Sequence, residues 1–182
     1  MTNFKIFFDE FFKNIGEDKN REGLKKTPQR VESSWKQLYS GYAKDPLSLL
    51  DSPLYDGVCD EMVVLKNIEF YSMCEHHILP FFGEISIGYI PNNKLVGISK
   101  LVELVEIFSK RLQIQENLTT QIADTLMKAL NPKGVMVVAK ATHLCMIMQG
   151  MEKKNSILIT SAVRGIFKKD ARSRAEFMEH IK

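Results

Sequence analysis

The order of its apolar patterns constrains the fold of this chain more than any other feature. Two stretches rich in Val, Ile, Phe and Tyr, residues 61–72 and 83–91, are bounded by turn residues and predict β-strands. Apolar residues then recur at helical spacing over 99–130, and further strands are expected at 134–142 and 156–163. Two strands before the long helices and two after them in the sequence predict an α+β layer, which is an antiparallel sheet with helices on one face.

The N-terminal part of the chain predicts helices. Phenylalanines at helical spacing indicate an amphipathic helix whose aromatic face is expected to be core, and these are Phe4, Phe7, Phe8, Phe11 and Phe12. Thr27 and Pro28 predict the N-cap and first position of a second helix that reaches about Tyr42. Because no repeat or linker divides the chain, we predict a single domain over 1–182, with a helical region at 1–44 and a core at 58–182.

Composition argues against several classes of protein. The net charge of +3 is small and the basic residues are scattered among acidic ones, so no nucleic-acid partner is expected. The longest apolar stretches, such as 134–139, fall far short of the roughly 20 residues that cross a bilayer. Three cysteines are an odd number, which fits reduced thiols better than a disulfide framework. We therefore predict a cytoplasmic protein with no membrane partner.

A short motif offers ligands for a metal. Cys74 and His77 place a thiol and an imidazole three residues apart in a tight connection, and zinc prefers this pair of ligand types. A third ligand must come from the donors elsewhere in the chain, which are Cys59, His143, Cys145 and His180. The segment from His143 to Cys145 offers both a ligand and a second imidazole. Two thiolates and one histidine would leave a fourth position open, as in catalytic zinc sites. The alternative is that these cysteines are buried apolar residues and the histidines ordinary core or surface groups.

Six segments resemble the GTP cyclohydrolase I family in their order and spacing. They are GEDKNREGLKKTPQRV, IEFYSMCEHHILPFFG, YIPNNKLVGISK, RLQIQENLTTQIAD, HLCM and TSAVRGIF. The resemblance runs from Gly16 to the C-terminus. It implies an enzyme that hydrolyses GTP at C8, releases formate and forms 7,8-dihydroneopterin triphosphate, the first step of tetrahydrofolate and pterin biosynthesis. It also implies a tunnelling fold, in which sheets from several subunits join into a barrel and form a homodecamer with sites at subunit junctions.

The resemblance also implies roles for residues that act on the purine and the ribose. Zinc (Zn²⁺) would be held by Cys74, His77 and Cys145. His76 and His143 would move protons, which suits a side chain whose pKa lies near neutrality. Ser99 would assist near the reacting ribose, although a serine at that point could equally be only a helix N-cap.

Four further residues would bind the substrate by resemblance. Gln115 and Glu116 would face the guanine, since a carboxylate can accept hydrogen bonds from N1–H and the 2-amino group together. Lys100 would bind the triphosphate, and Arg30 would reach the phosphate site of a neighbouring subunit. From polarity alone, Gln115 and Glu116 would be solvated surface and Arg30 an ordinary helix charge.

Two departures from the family pattern affect the phosphate site. Gln149 and Glu103 stand where the family commonly has arginine. Either Glu103 turns away from the phosphates or other cations compensate for it, and the candidates are Arg30, Lys100, Lys110, Lys153 and Lys154. A same-fold zinc enzyme acting on a purine nucleotide or pterin with fewer phosphates is the alternative function. A zinc-stabilised binding module without catalysis is another, but such a module would need neither the spare histidines nor Glu116.

Overall fold

The structure, a computed structural model, describes residues 4–51, 55–56, 59–149 and 155–182. The chain divides into two compact units, Met1–Tyr39 and Ser40–Lys182. The single domain over 1–182, with a helical region at 1–44 and a core at 58–182, stays a prediction. In the described ranges, no helix is both long and apolar enough to cross a membrane.

Helix α1 (Phe4–Asn14) presents its aromatic residues on two sides. Phe8 and Phe12 are buried, as the sequence predicts for a core face. Phe7 and Phe11 are 49% and 42% exposed, so for these two residues the prediction of burial is wrong. Their rings stack on each other with centroids 6.5 Å apart. Periodicity identifies the helix, but the aromatic stripe is wider than the surface that α1 buries.

Helix α2 (Thr27–Leu38) starts one residue before the expected position. Thr27 is the first helical residue rather than the N-cap, and its hydroxyl donates to the Gly23 carbonyl at 3.5 Å. The cap position falls on Lys26, which makes no side-chain cap bond. The helix ends four residues earlier than predicted, and a short 3₁₀ helix (Ser40–Ala43) follows in the chain.

The second unit is built around a five-stranded sheet. Its strands, with those of a small two-stranded sheet, are β1 (Tyr55–Asp56), β2 (Val63–Cys74), β3 (Pro80–Ile90), β4 (Lys94–Leu95), β5 (Leu112–Gln113), β6 (Gly134–His143) and β7 (Leu158–Gly165). The large sheet has the order β5-β2-β3-β6-β7, and the pairs β2–β3, β3–β6 and β6–β7 are antiparallel, whereas β2–β5 is parallel. The four strands expected from the sequence are β2, β3, β6 and β7. Strand β2 continues two residues beyond the predicted end, so Cys74 lies at its last position.

Helices cover both faces of this sheet. They are α3 (Ile98–Ser109), α4 (Gln115–Leu130), α5 (Leu144–Ile147), α6 (Ile166–Lys169) and α7 (Ala171–His180). The long helices α3 and α4 pack on one face, against alternate residues of β3 and β6. Met136 and Val138 of β6 face the other way and pack with Phe177 of α7. The prediction of helices on one face therefore holds for α3 and α4, but α7 lies on the opposite face.

Candidate metal centre and substrate site

The turn between β2 and β3 holds the histidine pair. The Cys74 amide donates to the Leu79 carbonyl at 2.9 Å, and the Ile78 amide donates back to the Cys74 carbonyl at 2.8 Å. Ile78 has a φ of +53°, which is rare for a β-branched residue and costs about 1–3 kcal/mol. The other described non-glycine residues with positive φ are asparagines, which tolerate this conformation. The two hydrogen bonds close the turn, and the exposed residues His76 and His77 lie in its middle.

Sheet pairing brings the third candidate ligand to this turn. Strand β6 runs antiparallel to β3 and pairs His143 with Phe81, one residue after the start of β3. Helix α5 begins directly after β6 and contains Cys145. As a result, the ligand atoms of Cys74, His77 and Cys145 all lie within 4.8 Å of one another. The structure thus brings together the three residues that the sequence predicts as ligands.

Two other donors considered from the sequence lie outside this group. The Cys59 sulfur contacts the Glu61 carbonyl at 3.9 Å. His180 lies on α7 and pairs with Glu176 at 3.9 Å. Among the described residues, neither belongs to the cluster of possible metal ligands.

The three donors have the dimensions of a zinc site. In tetrahedral geometry, with Zn–S near 2.3 Å and Zn–N near 2.0–2.1 Å, two ligand atoms lie about 3.6–3.8 Å apart. The Cys74 sulfur and His77 Nδ1 are 3.8 Å apart, and no pair exceeds 4.8 Å. Shifts of about 1 Å or less would complete the site, so the residues fit the ion.

The surroundings of Cys145 favour its neutral thiol when no cation is bound. Two effects raise the pKa of the Cys145 thiol. The larger effect is burial, which disfavours the charged thiolate, and the smaller is the neighbouring Cys74, beside which a second negative charge is unfavourable. A divalent cation stabilises both thiolates and reverses this effect. The cluster therefore gains most from a bound metal ion when both cysteines are ionised.

Two further imidazoles belong to the same segments of the chain as the three candidate ligands. His76 is exposed, and its Nδ1 lies 3.9 Å from the Cys74 sulfur. His143 stacks on Phe81 with ring centroids 4.5 Å apart and an angle of 7° between the planes. Burial lowers the pKa of His143, and the charge of Glu116 partly opposes this shift. His143 is therefore favoured in its neutral form.

Helix α4 starts beside His143. Gln115 is fully buried, so the expectation of solvated surface from its polarity is wrong. Its Oε1 lies 2.8 Å from His143 Nε2. Glu116, the next residue, is exposed in the first turn of α4. The main-chain N–H groups of this first turn lack helical partners, which makes the helix start a site for an acceptor atom.

Glu103 is paired with two lysines. Its carboxylate lies 3.6 Å from the Lys44 amine and 4.0 Å from the Lys100 amine. Glu103, Lys44 and Ser99 line a cavity of about 380 Å³ beside α3. The sequence analysis missed Lys44, because a single lysine after a 3₁₀ helix gives no signal of its own. Glu103 is thus held among cations rather than left to repel an anion.

The other residues considered for the phosphate site lie on different elements of the chain, and Lys110 lines the same cavity as Glu103. Arg30 is exposed on α2 in the N-terminal unit, and Gln149 is exposed after α5. Lys110 pairs with Glu106 on α3. Lys153 and Lys154 lie outside the described residues.

Comparison with known proteins identifies relatives along nearly the whole chain. Residues 5–182 match the family model described as GTP cyclohydrolase I. GTP cyclohydrolase 1 of Wolinella succinogenes is 63% identical over 186 residues and covers 100% of both chains. GTP cyclohydrolase 1 of Helicobacter pylori strain G27 is 63% identical over 176 residues, or 97% of this chain and 98% of the relative. Among solved structures, apo archaeosine synthase QueF-Like is similar with a TM-score of 0.44 and 21% identity, over 57% of this chain and 93% of that one.

Proposed function

The chain belongs to the GTP cyclohydrolase I family and is an enzyme of that class, and on that premise we propose the chemistry of its site. It hydrolyses GTP at C8, releases formate and rearranges the remainder to 7,8-dihydroneopterin triphosphate. The observation that supports this most strongly is the meeting of Cys74, His77 and Cys145 within 4.8 Å beside two spare imidazoles. A purely structural metal site needs no such imidazoles.

Cys74, His77 and Cys145 hold a zinc ion in this proposal. When bound, zinc with an open position supplies Lewis acidity and lowers the pKa of a coordinated water. The chain contributes the rigid frame, since Cys74 ends a strand, His77 lies in a closed turn and Cys145 lies in a helix. A reducing cytoplasm suits the thiolate ligands, and we propose that compartment.

The start of α4 recognises the base. Glu116 is exposed in the first helical turn, where its carboxylate can accept from guanine N1–H and the 2-amino group. The main-chain N–H groups of Glu116 and Asn117, which are exposed in the same turn, can donate to the guanine oxygen. Adenine has neither N1–H nor a 2-amino group and would leave the carboxylate unpaired.

The imidazoles and Ser99 serve proton transfer and positioning. His76 is exposed beside the metal ligands and can donate a proton to the purine. His143, neutral because it is partly buried, can accept one. Ser99 is the second residue of α3, whose N-cap is Gly97, and it lines the cavity beside that helix, where its hydroxyl can hold the ribose.

Lys100 and Arg30 bind the triphosphate, and the Glu103 carboxylate is paired with Lys44 and Lys100. Because Arg30 would serve a neighbouring subunit, the proposal requires a homo-oligomer, a decamer of the tunnelling fold with sites at subunit junctions. The apolar edge strand β7 can pair with another subunit to build the barrel. The product would enter tetrahydrofolate or pterin biosynthesis.

A substrate with fewer phosphates is the second candidate, favoured by Glu103 and Gln149 in place of arginines. The decisive experiment incubates zinc-loaded protein separately with GTP, GDP and guanosine, and measures formate and pterin fluorescence. We expect GTP to have the highest specificity constant by far. Equal specificity constants for the three substrates would show that the enzyme does not select its substrate by the triphosphate. Absence of formate with all three would exclude the proposed reaction. Cys145→Ser protein is the control, since it should release no formate.

A further inference from the structure

The side chain of Gln115 has one possible orientation. Its Nε2 lies 3.1 Å from the Ala139 carbonyl, 3.0 Å from the Leu158 carbonyl and 3.2 Å from the Thr160 hydroxyl. The two carbonyls can only accept hydrogen bonds, so the NH₂ group must face them. The amide oxygen is therefore forced to the other side, and a flipped amide would set oxygen against oxygen.

This orientation determines which nitrogen of His143 carries hydrogen. The Gln115 oxygen lies 2.8 Å from His143 Nε2 and can only accept, so Nε2 must be the N–H. A neutral imidazole has one N–H, which leaves the lone pair on Nδ1. Among the described residues, no group makes a hydrogen bond to that Nδ1. Stacking on Phe81 fixes the ring plane as well.

We propose that Gln115 is a positioning residue that locks His143 in the Nε2–H tautomer, so that His143 exchanges protons with the substrate through Nδ1 alone. Its catalytic consequence rests on the proposed function, but the tautomer does not. In this tautomer the free lone pair of His143 is on Nδ1, so any proton that the ring accepts from the substrate enters at that atom. Both amide hydrogens of Gln115 face protein acceptors, so its side chain does not donate to the base.

The tautomer is measured directly in the unmodified protein. Full-length zinc-loaded protein is labelled with ¹⁵N at histidine and studied by NMR in alkaline buffer, where imidazoles are neutral. Comparison with His143→Asn protein assigns the signals of His143. We expect hydrogen on Nε2, whereas hydrogen on Nδ1 would overturn the proposal whether or not any variant folds.

Kinetics test the positioning role. Gln115→Met keeps the length of the side chain but removes the hydrogen bonds of the amide nitrogen and of the amide oxygen. We expect kcat for GTP to fall about 10- to 100-fold, with KM and zinc content little changed. Thr160→Val is the matched control, because the two carbonyls still orient the amide, and its kcat should stay close to wild type. A rise in KM at unchanged kcat would instead place the Gln115 side chain on the substrate. Loss of zinc or an unchanged kcat in Gln115→Met would also overturn the proposal. If wild-type protein releases no formate from GTP, the proposed function fails, while the NMR result still decides the tautomer.

Discussion

Replacing Glu103 by glutamine tests how the phosphate site works without the usual arginines. The Glu103 carboxylate is 3.6 Å from the Lys44 amine and 4.0 Å from the Lys100 amine, and all three side chains are 34–52% exposed. Exposed pairs of this kind contribute about 0–1 kcal/mol each. Glu103→Gln frees both lysines for the triphosphate, so we expect a gain in GTP binding of about 1 kcal/mol, roughly fivefold in KM.

The assay is the specificity constant of wild type and Glu103→Gln for GTP and guanosine at low and high salt. The improvement should appear for GTP, be absent for guanosine and shrink with salt, because it depends on screened charges. Asp124→Asn is the matched control, since it makes the same change in net charge but frees Arg164 of β7, which Asp124 of α4 contacts at 2.6 Å. An unchanged or higher KM for GTP, or an equal gain for guanosine, would refute the reasoning.

Four further predictions test the ligands, the acid, the base site and the packing. Cys145→Ser should lose zinc and turnover, measured by metal analysis and formate release, whereas Cys59→Ser should keep both. His76→Ala should keep zinc but lose roughly 100- to 10,000-fold in kcat, as expected for general acid–base catalysis; loss of zinc instead would make it a ligand. Glu116→Gln should weaken GTP binding by about 1–3 kcal/mol in calorimetry, because an amide donor then faces a guanine donor; equal affinity would remove it from the pocket. Gly88→Ala should lower the melting temperature, since a Cβ there would lie 2.4 Å from the ring of Phe177; an unchanged value would show that α7 shifts freely.

The sequence predicts the four long strands and the pair Cys74 and His77 because both depend on local patterns. Strands β2, β3, β6 and β7 follow runs of apolar and β-branched residues, and the antiparallel pairing of β3 with β6 sets His143 beside Phe81. Once that register exists, Cys145 reaches Cys74 without any further long-range information. Donor type alone left Cys59, His143, Cys145 and His180 open as the third ligand, and the choice of Cys145 follows from the family resemblance.

Other features depend on tertiary contacts that no local pattern encodes. The burial of Gln115 follows from acceptors on β6 and β7, which are distant in sequence from α4. The pairing of Glu103 with Lys44 joins α3 to a segment before the sheet. The position of α7 on the second face depends on Gly88, where only a residue without a Cβ leaves room for Phe177. Propensity and periodicity describe single helices and strands, so they do not predict contacts between elements that are distant in the sequence.

The most direct test of the proposed chemistry is a zinc titration of turnover. Protein stripped of metal with a chelator is reloaded with increasing zinc, and formate release from GTP is measured at each step beside the zinc bound per chain. We predict no formate from stripped protein, a rate that rises in proportion to bound zinc and levels off at one ion per chain, and no recovery in Cys145→Ser. Full formate release from the stripped protein, or full recovery in Cys145→Ser, would contradict the assignment of this reaction to the Cys74, His77 and Cys145 cluster.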